Sequence, residues 1–175
     1  MRAGAWILPA LLGLAACSGR PAAVPRQHAY PRVNLYPAEY REVRLPAAPG
    51  AIAVNDSARV DSVGPGWFNI VYPAYNLTVN CTLLPYSAEA VANRRERMDL
   101  NLAGARAEVV ETPRGVMVVA PGAMRTPVQF LATDSAGWIL SGVAVATLPA
   151  DADADSVAPV VDALSTDILF MLNQL

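Results

Sequence analysis

Apolar and polar positions alternate with a period of two along much of the middle of the chain. From Tyr75 to Leu84, the residues Tyr75, Leu77, Val79, Cys81 and Leu83 fall on one side, with Asn76, Thr78, Asn80 and Thr82 between them. That is the signature of a half-buried strand. Trp67–Tyr72 is also rich in β-formers and is stopped by Pro73. So few residues separate the two runs that an antiparallel hairpin is expected. Upstream, Ala51–Val54 and Arg59–Val63 read as short strands around Asn55-Asp56-Ser57, and Gly64-Pro65-Gly66 reads as a turn. Downstream, Ala107–Glu111, Val116–Ala120, Pro127–Thr133 and Trp138–Thr147 read as four more strands joined by turn-forming residues.

In two places the period lengthens to that of a helix. Ser87 is placed as an N-cap for a helix to about Leu102, with Glu89 in its first turn. Ala88, Val91, Ala92, Met98 and Leu102 give this helix one modest apolar stripe. Arg94, Arg95 and Arg97 lie away from most of the stripe, as a solvated face or a contact for anionic lipid or lipopolysaccharide. The second helix is predicted from Ser156 to about Asn173, with Val157, Val160, Val161, Leu164, Ile168, Met171, Leu172 and Leu175 on one face. Asp155 is its expected N-cap and Pro159 falls in its first turn. Strands and helices in this order predict a single α+β domain over residues 30–175, a mainly antiparallel sheet packed by two amphipathic helices. The order is also that of the small Mog1/PsbP α/β/α sandwich, a fold-level analogy that carries no function.

The N-terminus follows a different logic. Arg2 precedes a mostly apolar run from Ala5 to Leu14. At roughly ten residues, this is the length of a signal-peptide core and too short to span a bilayer as a helix. Leu14-Ala15-Ala16-Cys17 then matches the bacterial lipobox. The alanines suit a peptidase cutting before Cys17, and the thiol accepts a diacylglyceryl thioether. Residues 1–16 are thus expected to be a lipoprotein signal peptide, Cys17 the site of lipid and palmitate attachment, and 17–29 a tether containing Pro21 and Pro25. At full extension, the twelve residues 18–29 reach roughly 40 Å.

Composition removes many classes of function. With 54% hydrophobic and 16% charged residues, the chain has enough apolar surface for a core and is not disordered in type. A net charge of −2 gives no global field for nucleic acid. All 13 basic residues are arginine, which excludes lysine Schiff-base and Ser-Lys chemistry. The one histidine, His28, falls in the tether, leaving the body no imidazole for a Ser-His-Asp or Cys-His arrangement. Cys17 is consumed by lipid, so Cys81 has no partner for a disulfide and reads as a buried, inert thiol. No phosphate-cradling glycine motif is present. Asp151, Asp153, Asp155 and Asp162 have part of a calcium-loop spacing, but the required glycine position is Ser156 and residues 156–162 read as helix. No metal and no cofactor are expected.

Asp-Ser followed by a small apolar residue occurs at Ser57, Ser62, Ser135 and Ser156. The triplet resembles the acceptor of the general O-glycosylation system of Bacteroidota, and it is equally the chemistry of turns and helix caps. Gln129 alternates with Val128 and Phe130, so it faces away from the side they bury, toward solvent or beneath a helix. With the turn residues Asp134 and Ser135 it is the candidate border of a partner surface.

Four segments, in order, resemble one family. They are Tyr30-Pro31-Arg32-Val33-Asn34-Leu35-Tyr36-Pro37 with Tyr40, Trp67-Phe68-Asn69-Ile70-Val71-Tyr72-Pro73, Thr126-Pro127-Val128-Gln129-Phe130 with Thr133-Asp134-Ser135, and Asp155-Ser156-Val157-Ala158-Pro159-Val160. Together they are similar to the gliding motility lipoprotein GldD family of Bacteroidota. A pair of cysteines found in that family has no counterpart here, where Gly66 and Gly50 stand near those positions. The resemblance implies an outer-membrane lipoprotein, non-enzymatic, that serves gliding and type IX secretion through contacts with other envelope proteins. The alternative is a periplasmic module for a small ligand or glycan, with Trp67, Trp138 or the tyrosines as contacts, although such aromatics more often serve as core.

Overall fold

The computed structural model describes residues 34–45, 50–102, 104–123, 125–148 and 154–175. The signal peptide, Cys17, the tether, Asp151 and Asp153 lie outside the described residues. In chain order the elements are β1 (Tyr40–Arg44), β2 (Ala51–Asn55), β3 (Arg59–Gly64), β4 (Trp67–Tyr72), a 3-10 turn Pro73–Tyr75, β5 (Leu77–Pro85), α1 (Ala88–Asn101), β6 (Glu108–Thr112), β7 (Gly115–Val119), β8 (Val128–Thr133), β9 (Trp138–Ala146) and α2 (Ala154–Gln174). The α+β class and mostly antiparallel pairing are as the sequence predicts.

β3 to β9 form one seven-stranded sheet in the order β3-β4-β5-β9-β8-β7-β6, while β1 and β2 pair as a separate two-stranded ribbon. The sheet is two meanders meeting at the centre. β3-β4-β5 walks inward from one edge; α1 then carries the chain to the other edge, from which β6-β7-β8-β9 walks back. The junction is the longest pairing, with β5 and β9 in register from Leu77↔Ala146 to Pro85↔Trp138.

Alternation sorts the side chains between two unequal layers. On one face Phe68, Ile70, Tyr72, Leu77, Val79, Cys81, Phe130, Leu140 and Ala144 form a continuous core with Val161, Leu164, Ile168, Met171 and Leu172 of α2 and with Ile52 and Val54 of the ribbon. On the other face a small cluster of Met98, Val118, Leu131 and Ile139 lies beneath α1. β8 is therefore buried on both sides, whereas β4 and β5 bury alternate residues only. Cys81 is a free, buried thiol, and burial pushes its pKa up, so it stays protonated and unreactive.

Several element ends differ from expectation. β1 carries no clean alternation and is a strand because polar groups hold it in place. Arg41 donates to the carbonyls of Asn55 (3.0 Å), Asp56 (2.8 Å) and Ala58 (2.7 Å). Ser87 does cap α1, its Oγ accepting from the Ala90 N–H at 3.2 Å. α2 begins at Ala154, so Asp155 lies in its first turn rather than at the cap, and Pro159 is inside the helix. Pro159 has no N–H to give to the carbonyl four residues earlier, so one backbone bond is missing on an exposed face.

One buried polar network ties α2 to the ribbon. Asp167 accepts from the Tyr40 hydroxyl (2.9 Å) and from Asn55 Nδ2 (3.3 Å), and Asn55 Nδ2 also donates to the Pro37 carbonyl (2.9 Å). Tyr40 stacks on Phe170 with ring centres 3.9 Å apart, and Tyr36 stacks on Tyr75 at 4.6 Å. Burial raises the Asp167 carboxyl above the usual range, outweighing the bonds from Tyr40, Asn55 and Tyr72 that lower it. A carboxyl raised in the folded state contributes most stability below its unfolded pKa, and that contribution is lost as pH rises through the folded pKa. Asp167→Asn cannot ionise. Its melting temperature relative to the parent should therefore climb as pH rises above about 4, near the unfolded carboxyl value, and through the raised folded value. Parallel melting curves across that range would show that ionisation of Asp167 is not coupled to folding.

Candidate functional site

Because α1 spans only β7 to β9, the β3-β4-β5 half of that face has no element over it among the described residues. Register lays out its residues in rows. Trp67 pairs with Thr82 and Thr82 with Ser141; Asn69 pairs with Asn80, Asn80 with Val143, and Val143 with Gln129. Trp67 is 59% exposed and its neighbour Val63 62%. Asn80 is exposed, and Asn69, Thr78 and Thr82 are half-buried. A tryptophan, two asparagines and two threonines on one flat surface can meet a partner through both apolar contact and hydrogen bonds. The sheet edge beside it is less suited to strand addition. β3 carries the Arg59–Asp61 ion pair at 2.8 Å and a register shift between Ser62 and Gly64, both of which discourage edge pairing.

Where the open surface meets α1 there is a cleft of about 170 Å³. Arg94, Arg97, Met98 and Asn101 come from the helix, and Gln129, Ser141 and Val143 from β8 and β9. Arg94 and Arg97 are three apart and so share a helix face. Burial, and then the neighbouring Arg97 charge, lower the Arg94 pKa. Gln129 forms the floor and is 0% exposed. Asn101 Nδ2 donates to its Oε1 at 3.2 Å, and its Nε2 has no partner.

Gln129 faces away from Val128 and Phe130 and, of the two placements expected for it, takes the one beneath a helix, with no exposed surface. Asp134 and Ser135 are in the β8–β9 turn, apart from the cleft. Asp134 Oδ1 accepts from the N–H groups of Gly137 (2.7 Å), Trp138 (2.9 Å) and Ala136 (3.1 Å). Those bonds, led by Trp138 and Gly137, hold its carboxyl below the usual range. Ser135 is exposed at φ 63°, and its N–H donates to Thr133 Oγ1 at 2.9 Å. Asp134 is thus committed to the turn. Asp134→Ala should lower the melting temperature, while Asp134→Asn, which keeps an acceptor oxygen, should restore most of the loss. Equal melting temperatures for parent and alanine variant would return Asp134 to the list of surface contacts.

Ser57 and Ser62 are exposed like Ser135, whereas Ser156 is half-buried in the first turn of α2. Trp138 and the tyrosines Tyr36, Tyr72 and Tyr75 pack on or in the core, whereas Trp67 and, less so, Tyr86 are exposed. A larger hollow of about 400 Å³, lined chiefly by Leu45, Ile52, Leu83, Trp138, Leu140 and Leu175, has Arg114 as its one charged side chain. Its neighbours Leu45 and Gly50 flank residues 46–49, which lie outside the described residues. Among the described residues no three His, Cys, Asp or Glu side chains cluster as a metal site, and no helix is long and apolar enough to cross a membrane.

A sheet sealed on one face and half open on the other, with a polar cleft at the boundary, defines a small α+β module that offers surface for contact. Its family is shown directly. The chain matches the model of the gliding motility lipoprotein GldD over residues 20–175 and belongs to that family. Membership places it among lipid-anchored envelope proteins with an accessory role in gliding motility. No curated protein and no solved structure matches it.

Proposed function

We propose that this protein is a non-enzymatic accessory lipoprotein of the outer membrane, anchored through Cys17, that serves gliding motility and the type IX secretion machinery by docking other envelope proteins on its open sheet face. The observation that carries the reading is the uncovered β3-β4-β5 surface, with Trp67 at 59% exposure amid Asn69, Asn80 and Thr82. Large aromatics supply most of the energy at protein contacts, and Trp67 holds more than half of its surface out of the core. The turn around Ser135 supplies a second exposed feature. Sugars at Ser57, Ser62 and Ser135 would add bulk at positions that are already solvated.

The test is Trp67→Ala in the lipidated protein. Because the side chain is mostly exposed, the melting temperature should change little, whereas colony spreading and secretion of type IX cargo should fall. Crosslinking in native envelopes should lose the bands that the parent gives. Normal spreading and secretion in a strain carrying the stable variant would remove the open face from the mechanism. Normal spreading and secretion after gene deletion would remove the accessory role itself.

The same Trp67, flanked by amide side chains, also favours a glycan reading, since sugars stack on exposed aromatic rings and bond to amides. A thermal shift with envelope glycans, lost in Trp67→Ala, would support that alternative.

A further inference from the structure

The cleft under α1 has chemistry that protein docking on the open face does not use. Its helix wall carries two guanidinium groups, and its floor is a fully buried amide with one unpartnered nitrogen. Each of these groups is a donor. Positions three and four residues either side of Arg94 hold Ala90, Val91, Arg97 and Met98, and those around Arg97 hold Asn93, Arg94, Leu100 and Asn101. No carboxylate is therefore in range along the helix, and among the described residues neither arginine forms an ion pair. Two like charges three residues apart repel one another, and a buried amide N–H without an acceptor keeps its full desolvation penalty. An anion seated between them would offset both penalties.

We infer that the cleft formed by Arg94, Arg97 and Gln129 binds a phosphate group, either free or on a lipid headgroup. A tetrahedral dianion suits the donor set. Each guanidinium can present two parallel N–H groups to neighbouring oxygens, and Gln129 Nε2 supplies a further donor from below. A carboxylate has only two oxygens and one charge, and leaves donors idle. The available 170 Å³ accommodates a group of this size. Asn101 occupies Gln129 Oε1, which leaves Nε2 as the amide group of Gln129 without a partner in the cleft wall. This site rests on different residues from the open-face proposal and survives or fails separately.

The experiment is calorimetric titration of the full-length lipidated protein in a neutral maltoside detergent. The titrants are inorganic phosphate, dihexanoylphosphatidic acid below its micellar concentration, and acetate. Phosphate should bind and raise the melting temperature, and acetate should do neither. Charge-assisted bonds of the usual strength imply that Arg94→Gln with Arg97→Gln weakens phosphate binding at least ~10-fold. Arg97 is exposed, Arg94 is half-buried, and neither belongs to the apolar clusters, so the double variant should remain folded. Gln129→Glu supplies the missing anion from within. It should abolish phosphate binding while Asn101 keeps its acceptor. Comparable affinities for the two phosphates would assign a free phosphate group, and much tighter binding of phosphatidic acid would assign a lipid headgroup. Absence of binding to either, acetate binding as tightly, or phosphate binding unchanged in both variants would overturn the inference.

Discussion

Phe130→Ala should destabilise the domain by about 3–5 kcal/mol, the range for deleting a buried aromatic ring. That corresponds to a fall in melting temperature on the order of 10–20 °C for a domain of this size. Phe130 is 1% exposed and sits in β8, the strand buried on both sides. Its ring lies over Gly142, its register partner on β9. A Cβ added at Gly142 would meet Cε1 and Cζ of that ring well inside van der Waals contact. Gly142→Ala should therefore overpack the same spot and cost about 1–3 kcal/mol by itself. The two effects are coupled through one volume. Phe130→Leu shrinks the ring side and Gly142→Ala fills the glycine side, so the double variant should be more stable than the sum of the singles implies. Urea melts of the four proteins measure the coupling. Strict additivity would mean that ring and glycine do not compete for space.

The legible parts of this fold were those in which one residue type repeats on one face. β4 and β5 could be read because Phe68, Ile70 and Tyr72, then Leu77, Val79, Cys81 and Leu83, point to a single core while their neighbours remain polar. α2 could be read for the same reason at helical spacing. β1 was not legible, because Tyr-Arg-Glu-Val-Arg buries nothing fully. Its partners Asp167, Asn55 and Asp56 lie between about a dozen and more than a hundred residues away. Contacts of that range leave no local pattern. The start of α2 was missed because Asp155 is as acceptable in a first turn as at a cap.

The candidate site divided in the same way. Alternation correctly turned Gln129 away from Phe130, but only the path of α1 decides whether that side is water or helix. Trp67 reads as core from composition, since most tryptophans are largely buried. Its position as the first residue of β4, on the face that α1 does not reach, leaves it exposed. The pairing of Arg94 with Arg97, three residues apart and without a carboxylate in helical range, was present in the sequence. The missing element was the floor beneath them, which comes from a strand more than thirty residues later.

Cys17→Ala should strip the protein of its lipid anchor. Each buried methylene contributes about 0.8 kcal/mol to membrane affinity, so one acyl chain anchors only marginally and two or more hold essentially permanently. The tether of alanine, proline and polar residues offers no comparable affinity, and among the described residues no helix can span the bilayer. Export should still proceed through the apolar run Ala5–Leu14, leaving an uncleaved precursor or a soluble form. The core under α2 is built from residues between Leu45 and Leu172, so the soluble form should melt at the temperature of the lipidated protein. Spreading should be lost, because a docking module works at the concentration that its anchor enforces. Fractionation of the variant with the outer membrane as mature protein would instead show that protein contacts, and not lipid, hold it there. A soluble, folded and fully motile variant would show that the open face finds its partner without an anchor.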